Sequence, residues 1–237
     1  MGANTAAASS IAGIEQRYAG ITHNLANANT TGFKRVRTSF SQALQQAGAA
    51  GTGAVAAGTQ VDFTQGPLAG TGRPLDLAMT GKGFFVLETP NGPLYTRNGT
   101  FTTNAEGNLV DTQGRLVAGE AGPIVVPRSV SPSQVTVAPD GTVQAGGQTI
   151  GKLRVVDFAD RAALRPEGAS GFRAPANVQP QPAEKYAVTQ GHLEGSNVNV
   201  TEELVGLITA SRLYEANLKG VSATDERLRN LLQVAMA

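Results

Sequence analysis

The residues able to do chemistry are few in this chain and poorly grouped. It has two histidines, His23 and His192, and no cysteine. The histidines stand far apart with no ligand spacing around either, so neither a zinc site nor a histidine-based triad is indicated. His23 reads as a helix-surface residue. Asp76, Glu88, Asp111 and Glu120 are single acids in strand or turn contexts. Hydrolysis by paired carboxylates needs two acids facing one bond, and these four read instead as solvated turn residues. Gly51-Thr52-Gly53-Ala54-Val55-Ala56 matches the dinucleotide fingerprint in letters. That fingerprint works only between a strand and a helix with an acid about 20 residues on, and no such unit surrounds it. Lys34, Arg35 and Arg37 form a small basic cluster whose plain reading is a solvated face. Asn24, Asn27 and Asn29 could hold a ligand, but side chains of this type at a helix end more often cap the helix and shape the turn. The expectation is therefore no catalytic residue, no cofactor and no metal.

Composition agrees with a chain that works without reactive groups. Its 237 residues carry a formal net charge of +1, which gives no field to draw it to nucleic acid. Aromatics make up 5% and Trp is absent, so a large compact core is not expected to dominate. The 29 Gly and 12 Pro lie mostly between the two ends of the chain and punctuate many turns. No apolar run approaches the roughly 20 residues of a membrane span. The first ten residues are small and polar, unlike a cleavable secretory signal.

The elements that must position these residues are two terminal helices and a β-rich middle. Ile11, Ile14, Tyr18, Ile21 and Leu25 recur at steps of three and four. Leu204, Leu207, Ser211, Tyr214, Leu218, Val221, Asp225, Leu228, Leu232 and Ala235 do the same. A spacing near 3.5 residues draws a narrow coiled-coil seam rather than a broad globular face. The first helix is expected from about Ala3 to about Ala28, roughly 39 Å at 1.5 Å per residue. It should end in Asn27-Ala28-Asn29-Thr30-Thr31-Gly32, with Gly32 in an unusual backbone conformation and Phe33 packing back. The last helix should start near Asn199 or Thr201, with Glu202 and Glu203 favouring the positive end of its dipole. Asp225 occupies a seam position, where a buried charge costs stability unless it sets register. Between the helices, 41–47 could form a short helix and 48–58 reads as flexible. Phe84 to Leu87 is an apolar run of strand length. Asn91-Gly92, Asn98-Gly99, Glu106-Gly107 and Gln113-Gly114 each offer a residue that tolerates positive φ, which suggests a meander of short antiparallel strands. Further strands are expected at Ile124–Val126, Val135–Val137, Leu153–Phe158 and Tyr186–Glu194, with a long proline-marked loop from Pro166 to Pro182. The fold class is α+β. The divisions are 1–33 for the N-terminal coiled-coil helix and turn, 34–72 for a linker, 73–195 for the β-rich domain and 196–237 for the C-terminal coiled-coil helix.

Four blocks resemble one family. Asn24-Leu25-Ala26-Asn27-Ala28-Asn29-Thr30-Thr31-Gly32-Phe33-Lys34 is similar to the N-terminal motif of bacterial flagellar rod and hook axial proteins. Arg73-Pro74-Leu75-Asp76-Leu77-Ala78, then Gly81-Lys82-Gly83-Phe84-Phe85-Val86, resembles the entry to that family's middle domain. Tyr95-Thr96-Arg97-Asn98-Gly99-Thr100-Phe101 is similar to its next signature. Leu193-Glu194-Gly195-Ser196-Asn197-Val198-Asn199, Glu202-Glu203-Leu204 and Arg212-Leu213-Tyr214-Glu215-Ala216-Asn217 resemble its C-terminal motif. The blocks stand in family order over nearly the whole chain. The resemblance implies a structural subunit exported by the flagellar type III apparatus without a cleaved signal. It implies helical polymerisation with copies of itself and other axial proteins into the periplasmic rod that carries torque to the hook. Gly119-Glu120-Ala121-Gly122-Pro123-Ile124-Val125-Val126-Pro127 and the short length look most like the fourth proximal rod protein, and Asn197 to Ile208 also resembles the distal one.

Three readings follow. The seam residues Ile11, Ile14, Tyr18, Ile21, Leu25, Leu204, Leu207, Tyr214, Leu218, Val221, Leu228 and Leu232 either pack one hairpin inside a monomer or meet neighbouring subunits. The turn residues Asn24, Asn27, Thr31, Gly32 and Phe33 end the first seam. The rival classes are a peptidoglycan-acting enzyme, which some rod-associated proteins are, and a soluble β-rich binding module.

Overall fold

The structure, a computed structural model, describes residues 2–39 and 58–235, with side chains for 10–37, 59–223 and 233. The expected helix at 41–47, the fingerprint at 51–56 and nearly all of the expected flexible stretch lie outside the described residues, as do the side chains of Asp225, Leu228 and Leu232. The chain divides into two units. The first gathers residues 1–26, 36–62 and 199–237; the second gathers 27–35 and 63–198.

The first unit is built on helices α1 (Gly2–Ala26) and α2 (Val200–Ala235). Asn199 starts α2 by accepting from the Thr201 and Glu202 amides at 3.0 and 3.4 Å, which satisfies N–H groups that the helix itself cannot pair. The helices run antiparallel, because Ser10 reaches Asn217 while Asn24, at the other end of α1, reaches Glu203. Strands β1 (Val36–Ser39) and β2 (Gly58–Val61) pair antiparallel within the same unit. Composition suggested only a linker across this stretch.

The second unit is a set of antiparallel sheets. After the short strands β3 (Leu68–Gly70) and β4 (Leu77–Gly81), its centre is the hairpin β5–β6, where β5 is Phe84–Thr89 and β6 is Gly92–Thr96. Side chains alternate across a strand, so Phe85, Leu87 and Leu94 face the main core with Leu77, Met79, Phe101 and Leu153. Phe84 and Tyr95 face the other way. There Phe84 meets Phe63 and Phe172 at ring-centre distances of 5.4 and 5.8 Å, and Tyr95 meets Phe158 edge-on at 4.8 Å.

The order of strands departs from a simple meander. Phe101–Thr103, Leu109–Asp111 and Leu116–Gly119 follow one another, but it is Leu116–Gly119 that returns beside β5. Gly99 lies between β6 and Phe101–Thr103. It does not adopt positive φ, unlike Gly92, Gly107 and Gly114. Instead a Cβ there would stand 1.7 Å from the Leu77 carbonyl oxygen. The missing side chain lets the chain cross against Leu77, whose amide bonds the Gly99 carbonyl at 3.0 Å. The strand expected over Tyr186–Glu194 is broken at Gly191, and the proline-marked loop contains a short hairpin, Arg165–Glu167 with Gly171–Arg173.

Candidate functional site

The described side chains hold two constellations: the helix pair of the first unit and a buried charge cluster in the second. In the helix pair, Ile14, Ile21 and Ala210 are buried together, with Leu207 and Tyr214 packed on them. The face of α2 turned to α1 runs Glu203, Leu207, Ala210, Tyr214 and Asn217, at steps of four and three. On α1 the matching face runs through Ser10, Ile14, Ile21 and Asn24. Small residues make the approach close: a Cβ on Gly206 would touch Ile21 Cδ1 at 3.3 Å.

The seam residues divide between this face and its flank. Ile14, Ile21, Leu207 and Tyr214 meet in the pair. Ile11, Leu25 and Val221 are half-buried. Tyr18, Leu204 and Leu218 are 42–44% exposed, and Val205 and Ile208 are more open still at 59% and 54%. The inner stripe thus includes Glu203, Ala210 and Asn217 where the largest apolar side chains would have placed Leu204, Ser211 and Leu218.

Asn24 is not a cap. It is buried in the last turn of α1, and its amide clasps Val36 from both sides: Nδ2 donates to the carbonyl and Oδ1 accepts from the amide, each at 2.8 Å. Its Nδ2 also reaches Glu203 Oε1 at 3.3 Å. Sequence reasoning missed Glu203 as a buried partner because acids are usual in an exposed first helical turn.

The second constellation centres on Glu194. Its Oε1 accepts from Lys34 Nζ at 2.6 Å and from the Gly66 amide at 2.9 Å; its Oε2 lies 3.4 Å from Arg97 Nη1. Both carboxylate and ammonium are fully removed from solvent. Lys34 also donates to the Thr64 carbonyl at 2.6 Å, and Arg97 donates to the carbonyls of Met79 and Gly81 at 3.2 and 2.6 Å. Burial pulls the Arg97 guanidinium below its ordinary value, and the Glu194 charge opposes that pull. Lys34 is thus no part of a solvated basic face. Arg37 is, being exposed and paired with Asp62 at 2.6 Å. A buried ion of either sign is tolerated only when paired and hydrogen-bonded, and here three charges and several carbonyls meet that demand except at Arg97 Nε, which is buried without a hydrogen-bond partner.

The turn after α1 belongs to this second unit. Thr30 donates to Asn27 Oδ1 at 3.2 Å, Thr31 is half-buried and Phe33 is 2% exposed. Gly32 has φ +69°, its amide donates to the Glu194 carbonyl at 2.7 Å, and a Cβ there would stand 2.3 Å from the Asn98 nitrogen. Of the candidate acids, Glu88 and Glu120 are exposed while Asp76 and Asp111 are buried. Asp76 is 1% exposed with Arg73 Nε 3.6 Å away, and Asp111 accepts from the amides of Gln113 and Arg115, so neither is the solvated turn residue expected. His23 is exposed, and His192 is tied to the Gln190 carbonyl at 3.0 Å. Among the described residues no three His, Asp or Glu gather to hold a metal, and no helix is long and apolar enough to cross a membrane.

Paired terminal helices joined to an antiparallel β-domain, with polar groups spent on holding backbone in place, define a structural class of protein. The comparisons place it further. Residues 189–234 match the model of the flagellar basal body rod FlgEFG protein C-terminal region, and residues 78–145 match that of the flagellar hook protein FlgE/F/G D1 domain. The flagellar basal-body rod protein FlgF of Caulobacter vibrioides is 36% identical over 220 residues, covering 90% of this chain and 89% of its own. The rod protein FlgG of Agrobacterium fabrum is 36% identical, covering 87% and 88%, and FlgG of Bacillus subtilis 33%, covering 90% and 91%. The chain belongs to the flagellar basal-body rod protein family and is a structural subunit of that kind.

Proposed function

We propose that this chain is a proximal rod subunit, most like the fourth proximal rod protein, which polymerises helically through its terminal helices into the periplasm-spanning drive shaft. It works without bond chemistry and is exported by the flagellar type III apparatus without a cleaved signal. Its partners are copies of itself and other rod and hook axial proteins. Segments 1–33 and 196–237 supply the coiled-coil layer and 73–195 the middle domain. The observation that carries this reading is the outward set of apolar side chains on α2. Leu204, Val205, Ile208, Leu213 and Leu218 are 43–59% exposed on a helix whose opposite face is already paired. Leu204, Val205 and Ile208 lie within little more than one turn, and an exposed apolar group of this kind is suited to another helix rather than to water; contacts that do not close on themselves extend into a filament.

The proximal assignment rests on Gly119–Pro127 and on the single middle domain. A distal position is the second reading, favoured by the equal 36% identity to an FlgG protein. Leu204→Asp with Ile208→Asp is expected to abolish incorporation into basal bodies and motility while the soluble chain keeps its unfolding midpoint. Normal incorporation of that variant, seen in purified basal bodies, would remove the helix-surface mechanism. Cryo-EM of intact basal bodies separates proximal from distal.

A further inference from the structure

A cavity of about 250 Å3 opens on the outer face of the β5–β6 sheet, between Val86, Tyr95 and Arg154 on one side and the loop 174–180 on the other. The loop wall is held in shape by its own bonds, Val178 N to the Pro175 carbonyl at 2.9 Å and Gln179 Nε2 to the Ala176 carbonyl at 3.2 Å. Pro93, Pro175 and Pro180 stiffen the rim. A second cavity of about 440 Å3 continues past Arg154 and Pro180 towards Pro182 and Glu120. Together they form a groove that runs by one guanidinium.

Two polar groups in this groove lack partners. Tyr95 is 3% exposed, yet its hydroxyl makes no hydrogen bond among the described residues. The hydroxyl is not sealed from the groove that Tyr95 lines, so a ligand can reach it as donor or acceptor. Burial pushes the Tyr95 phenol above its ordinary value, and the charges of Arg154 and Arg173 oppose this. Arg173 is already engaged by Glu167 and the Asn91 carbonyl, and Lys152 by Glu120. Arg154 is exposed and forms no ion pair among the described residues.

We propose that this groove docks an acidic side chain carried on an extended segment of a partner protein. The carboxylate takes the Arg154 fork and the Tyr95 hydroxyl, and the flanking residues lie along the proline rim into the second cavity. The guanidinium presents paired donors that match a carboxylate, and a stiff proline rim suits an extended chain laid along it. The length of the groove favours a peptide over a lone anion. This inference is independent of proximal or distal position.

The test uses the full chain with carbon-13-labelled tyrosine rings, Tyr95 being assigned by its loss in Tyr95→Phe. The probes are acetyl-Pro-Glu-Pro-amide, its Gln counterpart and acetate. The Glu peptide is expected to shift the Tyr95 signal saturably, the Gln peptide to bind about tenfold more weakly, and acetate not to saturate. Arg154→Gln, an exposed change that leaves the sheet intact, should weaken the Glu peptide about tenfold. Equal binding of acetate and the Glu peptide overturns peptide docking, equal binding of the Glu and Gln peptides overturns carboxylate recognition, and no saturable shift overturns both.

Discussion

The two units of this chain solve opposite problems. The β-unit buries Phe84, Phe85, Leu94, Phe101 and Leu153 completely and even seals an ion cluster inside itself. The helical unit buries Ile14, Ile21 and Ala210 on a narrow face and leaves larger apolar side chains in water. One is satisfied within a single chain and the other is not. Burial stabilises by about 25 cal/mol per Å2 against an ordering cost of about 1–2 kcal/mol per residue. Among the described residues the helix pair has a narrow interface and so little margin of its own, whereas the sheet unit buries a large core.

The largest effect that would sharpen this contrast comes from Glu194→Ala. It leaves Lys34 and Arg97 buried without their carboxylate, and a loss of about 3–5 kcal/mol is expected in guanidinium unfolding. A change under 1 kcal/mol would mean that the cluster is not sealed as described. Next, Ile21→Ala should cost about 2 kcal/mol or more. It should strip amide-exchange protection from α1 and α2 while leaving β5 and β6 protected; joint loss in both units would erase the distinction. Gly32→Val places a branched side chain at φ +69° against Asn98. It should cost about 1–3 kcal/mol and impair motility far more than Ala28→Ser, and equal motility of the two would refute the turn's importance. The smallest effect concerns acid. Burial opposes ionisation of Asp157, but hydrogen bonds from Arg161 and the Phe158 amide outweigh it and hold the carboxyl below the usual range. A depressed folded value means that this stabilisation is complete above the ordinary carboxylate range, near pH 4, and is lost as pH falls through the folded value. Asp157→Asn should therefore flatten the acid limb of the β-unit's stability, and an unchanged limb would show that Asp157 does not contribute to it.

Much of this was legible without coordinates because it depends on neighbours in sequence. The ends of both helices, the Asn/Thr/Gly turn and several glycine turns follow from capping and backbone sterics, which act over a few residues. The seam was legible only in part. Periodicity finds the stripe with the most apolar surface, and on α2 that stripe includes Leu204 and Leu218. The facing helix selects instead the side where Gly206 and Ala210 let the backbones approach, and small residues carry almost no hydrophobic signal. Lys34 was misread for a related reason, since a lysine between a turn and a basic pair looks solvated until Glu194, far along the chain, is brought to it.

Sequence alone settled the two terminal helices, the β-rich middle, the absence of thiol chemistry and the likeness to flagellar axial proteins, since each depends on residue identity and local spacing. Tertiary structure alone decided which helix face is inward, why Gly99 must lack a side chain, how Leu116–Gly119 comes to lie beside β5, and that Lys34, Arg97 and Glu194 share one dry interior. The physical reason is the same in each case. These features depend on which distant segments exclude water from one another, and no local pattern records that choice.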